Sequence, residues 1–338
     1  MSLPPDLQRL TESEAYRKAL LLPETPEETY TLFAQGEYNQ NWRFTHPVSG
    51  KELLLRVNFG SQMHLADQIG YEYHALKLLE KSGRTPKALY VDGTRTIAKQ
   101  GILVMEVLPG HALDYATELG LAAEILADIH SIPLPENEVT LQRPSHPLSA
   151  MLEECEEMFA VFVKSAEAAA EQKNMIRHLL DLGRQKISRI RDESPLQSII
   201  NTELNNTNFL INGAGEANYL IDWEKPLIGD PAQDLGHFLA PTTTFWKTDT
   251  ILSEREALEW TKGYIAAVCG RFKTEELLER SMVFRSITCL RGITWCAMAW
   301  VEYRRPERAL SNESTRKKLD AYLDMAFLSD AEAVLRAL

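Results

Sequence analysis

Near its start the chain carries three short runs in which apolar and polar positions interleave: Tyr30-Thr31-Leu32-Phe33, Asn41-Trp42-Arg43-Phe44 and Leu53-Leu54-Leu55-Arg56-Val57. Gly36 and Asn39 lie between the first two, and Pro47-Val48-Ser49-Gly50 separates the second from the third. The pattern predicts a small antiparallel sheet. The residues before it, up to about Glu28, read as a helical or irregular leader that Pro23 and Pro26 close. Over 64–81 the period lengthens: Leu65, Ile69, Ala75, Leu76 and Leu79 fall at helical spacing, and Gly83 supplies a stop. Two more runs, 88–91 and 102–108, return to strand character and end at Pro109-Gly110.

Beyond that point the spacing is helical almost throughout. The exception is a pair of apolar triplets, Phe209-Leu210-Ile211 and Tyr219-Leu220-Ile221, set around Asn212-Gly213-Ala214-Gly215, which predicts a hairpin. The change from strands to helices near 106–110 predicts an α+β chain of two lobes, a sheet-bearing first lobe over 1–108 and a helical second lobe over 109–338.

The hairpin brings chemistry with it. The loop Asn201-Thr202-Glu203-Leu204-Asn205-Asn206-Thr207-Asn208 leads into it and places a carboxylate and a carboxamide five positions apart, with Asp222 at its far end. Phosphoryl transfer needs a group beside the attacking hydroxyl and oxygen ligands that hold Mg²⁺ against the phosphates. Glu203, Asn208 and Asp222 supply three such oxygens, and a hairpin sets Asn208 and Asp222 side by side at one edge.

These segments resemble the catalytic and metal-binding loops of the aminoglycoside phosphotransferase and choline kinase family, small-molecule kinases with a protein-kinase-like fold. The family's first loop reads H-G-D-x-x-x-x-N and its second I-D-W or I-D-F; here Ile221-Asp222-Trp223-Glu224 follows the second, and Gly229-Asp230-Pro231-Ala232-Gln233-Asp234-Leu235 follows the family's G-D-P-x-x-D-L. The chain departs from the first loop at two positions, with Asn201 in the place of the His and Glu203 in that of the catalytic Asp.

The resemblance implies that ATP and Mg²⁺ are bound, that the first lobe holds the nucleotide, and that Glu203 orients or deprotonates the acceptor hydroxyl. Asn208 and Asp222 are then the metal ligands, with Asn201, Asp230 and Asp234 in support; Asp230-Pro231 also reads as a helix cap and first residue. Gly36 and Asn39 stand in the phosphate-covering hairpin, where a small residue lets backbone N–H groups approach a phosphate. Arg56 occupies the place of the phosphate-pairing Lys, with Glu72 as its acid; a guanidinium serves because it binds carboxylate and phosphate bidentately. Glu106 and Val107 fall in the interlobe connector, whose backbone meets adenine. His130, at a helix end before Ile132-Pro133, reads as structural, and Glu224 as a further metal or substrate contact. Because the catalytic Asp is replaced, a second reading stays open, a pseudokinase that binds nucleotide or regulates a partner.

Composition narrows the partners. A net charge of -12 in 338 residues argues against nucleic acid and is compatible with a cationic acceptor. Trp246, Trp260, Trp295 and Trp300, with Tyr303, Glu302 and Glu307, add aromatic faces and acids that suit an amine, although Trp in a helical lobe also fills cores. Cys155, Cys269, Cys289 and Cys296 form no C-x-x-C pair and lie in helical patterns, so buried thiols in a reducing cytosol are expected. The first residues, Met1-Ser2-Leu3-Pro4-Pro5, lack a signal-peptide pattern, and Arg285 and Arg291 mark the apolar stretch over 287–301 as a buried helix, not a membrane span. With what the resemblance implies, the expectation is a cytoplasmic small-molecule kinase.

Overall fold

The computed structural model describes residues 3–304 and 313–337, so Met1, Ser2 and Glu307 lie outside the described residues. Two compact units do not follow chain order: one comprises Met1–Ala112, Ile132–Gln142 and Asn208–Pro226, the other Leu113–Ser131, Arg143–Thr207 and Leu227–Leu338.

In chain order the first elements are α1 (Pro5–Thr11), α2 (Glu14–Leu20), β1 (Thr31–Gln35), β2 (Asn39–Thr45), β3 (Glu52–Asn58), α3 (Gln68–Leu79), β4 (Ala88–Asp92), β5 (Gly101–Glu106) and β6 (His111–Ala112). Then follow α4 (Leu119–His130), α5 (Pro147–Lys164), α6 (Ala170–Ile187), β7 (Ser198–Ile200), β8 (Phe209–Ile211), β9 (Tyr219–Leu220) and β10 (Leu227–Gly229). The chain continues through α7 (Pro231–Leu239), α8 (Pro241–Lys247), α9 (Glu254–Val268), α10 (Leu277–Glu302), α11 (Glu313–Tyr322) and α12 (Met325–Arg336).

In the first unit an antiparallel sheet runs in the order β1-β2-β3-β5-β4. Alternation along β3 sends Leu53, Leu55 and Val57 into a core with Trp42, Phe44, Ile102 and Val104, which the leader completes with Leu7, Leu10, Tyr16 and Leu20. The leader is thus helical and part of the core, pinned by a buried Arg17–Glu28 ion pair at 2.8 Å. Arg56, out of phase with those apolar residues, points to the opposite face, where α3 packs. That helix begins at Gln68 and not at His64, because the Asp67 side chain caps it by accepting from Gly70 N at 3.0 Å.

The hairpin β8–β9 pairs with β6, and Gly110 makes the close approach possible: its φ is +135°, and a Cβ there would meet the Leu210 carbonyl carbon at 2.8 Å.

The second unit is built on α10, a 26-residue helix buried by α5, α6, α7 and α12. Its core joins Cys155, Phe162 and Leu179 to Leu290, Ile293 and Trp300. Gly236 of α7 lies so close to α10 that a Cβ would meet Arg285 N at 2.5 Å. A two-strand ladder, β7 with β10, precedes α7 and was not expected; three residues each are too few for a period to show. One thiol corrects the sequence reading: Cys155, Cys289 and Cys296 are buried, whereas Cys269 is exposed as the left-handed cap of α9, φ 52°. Among the described residues no helix is long and apolar enough to cross a membrane.

Candidate active site

In the first unit the site grows from the middle of β3. Arg56, 8% exposed, donates from Nη1 to Glu72 Oε1 of α3 at 2.5 Å and from Nε to Asn41 Oδ1 at 3.1 Å. The same Nη1 lies 3.4 Å from Glu224 Oε1 and 3.7 Å from Asp222 Oδ1. Burial alone disfavours a charged guanidinium, but these carboxylates reverse it and raise the Arg56 pKa. Glu72 is itself pushed up, first by burial and then by Asp222, with Arg56 opposing. Burial together with Asp222 and Glu72 pushes Glu224 up to about 7, against Arg56 and the Asn39 hydrogen bond.

The hairpin sets the candidate metal residues. Phe209 is paired with Leu220, and Ile221 N donates to Asn208 O at 2.8 Å, so Asn208 and Asp222 stand one position apart across the ladder. Asp222 adopts φ 67°, a left-handed conformation that Asp tolerates better than most residues. Trp223 is buried behind it and donates Nε1 to Leu220 O at 3.1 Å. From α3, Gln68 Nε2 donates to Glu224 O at 2.6 Å and Tyr71 Oη to Pro226 O at 2.6 Å. The helix that carries Glu72 therefore grips the segment after Asp222 at two points, a role of Gln68 and Tyr71 that sequence reasoning missed.

Gly36 and Asn39 close the β1–β2 turn through Gly36 N donating to Asn39 O at 2.8 Å. The Gly36 N–H is thereby occupied, and the nearest atom to a Cβ there is 3.9 Å away, so the turn does not demand glycine. The Asn39 amide instead donates to Glu224 Oε1 at 2.5 Å, while its oxygen accepts from Asn58 Nδ2 at 2.9 Å. The N–H groups of Glu106 and Val107 donate to Lys87 O at 3.1 Å and Glu52 O at 3.0 Å, which continues the sheet into the connector.

In the second unit Asp234, fully buried in the first turn of α7, accepts from Asn201 N and Thr202 N, both at 2.8 Å. His130 Nε2 lies 3.2 Å from its Oδ2 and Nδ1 2.7 Å from Tyr264 Oη. The carboxylate can only accept, so Nε2 carries the proton toward Asp234 and, in the neutral ring, Nδ1 accepts from Tyr264. His130 is thus a buried brace of the loop. The loop is strained: Thr202, β-branched, has φ 71°. Asn201 Oδ1 then accepts from Glu203 N at 3.1 Å, and Asn205 Nδ2 donates to Glu203 O at 3.2 Å, so two carboxamides fix the backbone of Glu203. Arg291 of α10, ion-paired with Glu154 at 2.7 Å, lies within electrostatic reach of Glu203. Asp230 caps α7 through Ala232 N at 2.9 Å and pairs with Arg280.

Of the tryptophans, Trp260 and Trp300 are buried and bonded to Leu119 O and Asp320, whereas Trp295 is 42% exposed and meets Trp246 edge to face at 5.5 Å.

The donor set suits a hard cation. Asn208 and Asp222 offer a carboxamide and a carboxylate, and around them carboxylates outnumber the one guanidinium. Among the described residues no three His, Cys, Asp or Glu side chains make a metal cage of their own.

A sheet-bearing unit with a buried Arg–Glu pair, and a helical unit whose loop is braced by Asp234, define a protein-kinase-like α+β fold. The chain belongs to the phosphotransferase enzyme family (APH), whose profile matches residues 29–277. A microcompartment-associated aminopropanol kinase is similar in structure, with a TM-score of 0.65 at 14% identity over 97% of this chain and 96% of the other. Choline kinase from Cryptosporidium parvum Iowa II gives 0.64 at 14% over 95% and 94%. A spectinomycin phosphotransferase in complex with ADP and spectinomycin gives 0.58 at 12% over 92% of each. At such identities the likeness shows the fold. No curated protein matches the sequence.

Proposed function

We propose that the protein transfers the γ-phosphate of ATP, as its Mg²⁺ complex, to the hydroxyl of a small molecule in the cytoplasm. The reading rests above all on the Arg56–Glu72 pair set beside Asp222 and Asn208. Residues 1–108 serve as the nucleotide lobe, with Gly36, Asn39, Glu106 and Val107 along the nucleotide, and 109–338 as the lobe that carries the acceptor. Arg56, held by Glu72, binds phosphate oxygens. Glu203 accepts the proton of the acceptor hydroxyl as its oxygen bonds to the γ-phosphorus and the bond to the β-phosphate oxygen breaks, releasing ADP. Asn208 and Asp222 would hold the magnesium ion, which supplies charge neutralisation at the phosphates when bound. Asn201, Asp230 and Asp234 keep the loop in place.

The acceptor is an amino alcohol, an aminoglycoside-like compound or a sugar. The choline and aminopropanol kinases among its structural relatives and the exposed Trp295 beside Trp246 support the first. The pseudokinase reading finds no support in the family membership. Calorimetric titration of ATP with and without Mg²⁺, on the parent and on Asp222→Ala, tests the nucleotide site: binding should need both metal and Asp222. A panel of amines and sugars, scored by ADP release, then identifies the acceptor; a panel without any turnover would return the protein to the pseudokinase reading.

A further inference from the structure

The Glu224 carboxylate takes no part in the transfer as derived above, yet it is tied into the centre of the phosphate site. Its Oε1 accepts from Asn39 Nδ2 at 2.5 Å and lies 3.4 Å from Arg56 Nη1. Asn39 is buried, 5% exposed, and is itself held by Asn58, 3% exposed, which also donates to Gly60 O at 2.8 Å. Its backbone is fixed by Gln68 of α3, whose Nε2 donates to Glu224 O at 2.6 Å. Glu224 is therefore held through its carboxylate by Asn39 and through its backbone carbonyl by α3, beside the guanidinium that a nucleotide phosphate would need.

Arg56 already has Glu72 as its structural partner, so Glu224 is a second counter-ion at the place where a phosphate oxygen would approach. A phosphate arriving alone would meet a carboxylate already seated against its own binding group. One arriving with a divalent cation brings the charge that offsets Glu224 and gives that carboxylate another partner.

We propose that Glu224, tethered by Asn39, is an internal counter-ion that occupies Arg56 in the nucleotide-free protein and thereby excludes nucleotides that arrive without a divalent cation. The inference rests on the phosphotransferase reading of the site. It makes the turn at 36–38 a strap that nucleotide must release: when Glu224 leaves Arg56, the Asn39 bond that draws the turn down is lost with it.

The test compares ADP affinity in chelator with ADP affinity in saturating Mg²⁺, by calorimetry, for the parent and for Glu224→Gln. Glutamine keeps an oxygen for Asn39 and Arg56 and removes only the charge. The expected result is at least about tenfold tighter binding of metal-free ADP in Glu224→Gln, with Mg·ADP affinity equal or weaker, so that the ratio of the two collapses. Glu37→Gln removes one exposed charge from the same turn and should leave the ratio unchanged. Asn39→Ala, which cuts the tether and leaves the charge, should move the ratio in the direction of Glu224→Gln, and it carries the test if that variant does not fold. An unchanged ratio in a folded Glu224→Gln, or an equal shift in Glu37→Gln, overturns the proposal while leaving the nucleotide site intact. A parent that binds no Mg·ADP overturns the site and the proposal together.

Discussion

Arg280 donates Nε to Asp230 Oδ2 at 2.5 Å in a buried ion pair that joins α10 to the first turn of α7. Arg280 Nη1 also donates to Arg191 O at 2.6 Å, so one guanidinium ties α7 to the loop after α6. Removing one partner strands the other: Arg280→Met is expected to cost about 3–5 kcal/mol, because Asp230 is 0% exposed. Adding Asp230→Asn, which keeps the cap on Ala232 N, should recover part of that loss. Urea unfolding of the three proteins measures it, and a single variant that loses under about 1 kcal/mol would sink the argument.

Asp234 uses both oxygens on the 201–208 loop, one for each of two successive N–H groups. Asparagine offers one acceptor and points an NH₂ at the other N–H, so Asp234→Asn should let the strained Thr202 relax and displace Glu203. A shift of about 1 Å there corresponds to roughly a 10²-fold loss of kcat. The measurement is turnover on the best acceptor of the panel, beside nucleotide affinity, which should change little. A variant with full turnover shows that the loop holds itself.

Two helical glycines should respond in opposite senses to alanine. At Gly236 the new methyl meets Arg285 N and Phe284 Cβ, both at 2.5 Å, and the backbone between α7 and α10 has no slack. Gly236→Ala is expected to destabilise by about 3 kcal/mol or more. Gly263, exposed in α9, has nothing within 4 Å of a Cβ, so Gly263→Ala should stabilise by roughly 0.5–1 kcal/mol through helix propensity. Thermal melts decide both signs.

Lys186 carries the pH dependence. Burial pushes its pKa down to about 8, and its ammonium donates to Ser286 Oγ at 3.0 Å and to Ala337 O. Between about pH 8 and 10.4 the folded protein has released this proton while the unfolded chain still holds it. The unfolded state then binds more protons, so stability rises with pH over that window and the cost of the buried charge is felt in full below about 8. Relative to Lys186→Met, the parent should gain up to about 1.4 kcal/mol per pH unit in that range. A parallel pair of stability profiles would show that the ammonium stays solvated.

The elements with long periods were legible from residue spacing: the sheet strands, the helix after β3 and the hairpin at 209–221 all emerge near their expected positions. Boundaries shifted where a side chain outweighed the period, as Asp67 does in starting α3. The ladder of β7 with β10 was not legible, since three residues carry no period, and neither was the exposure of Cys269, which depends on α9 ending one residue earlier. At the site, the pairing of Arg56 with Glu72 was legible only through the family resemblance, and the two side chains do meet. The grip of Gln68 and Tyr71 on the segment after Asp222 spans some 155 residues, a separation that no local pattern encodes.

The edge strand β1 exposes all five of its side chains, and its register with β2 shifts between Leu32 and Ala34. An open edge of this kind is a template on which a second copy could add a strand. The irregularity at Phe33 breaks the row of outward N–H and C=O groups into two pieces too short to hold a foreign strand. The register shift is therefore expected to oppose sheet-to-sheet association along this edge, and deleting Phe33 is expected to weaken that opposition.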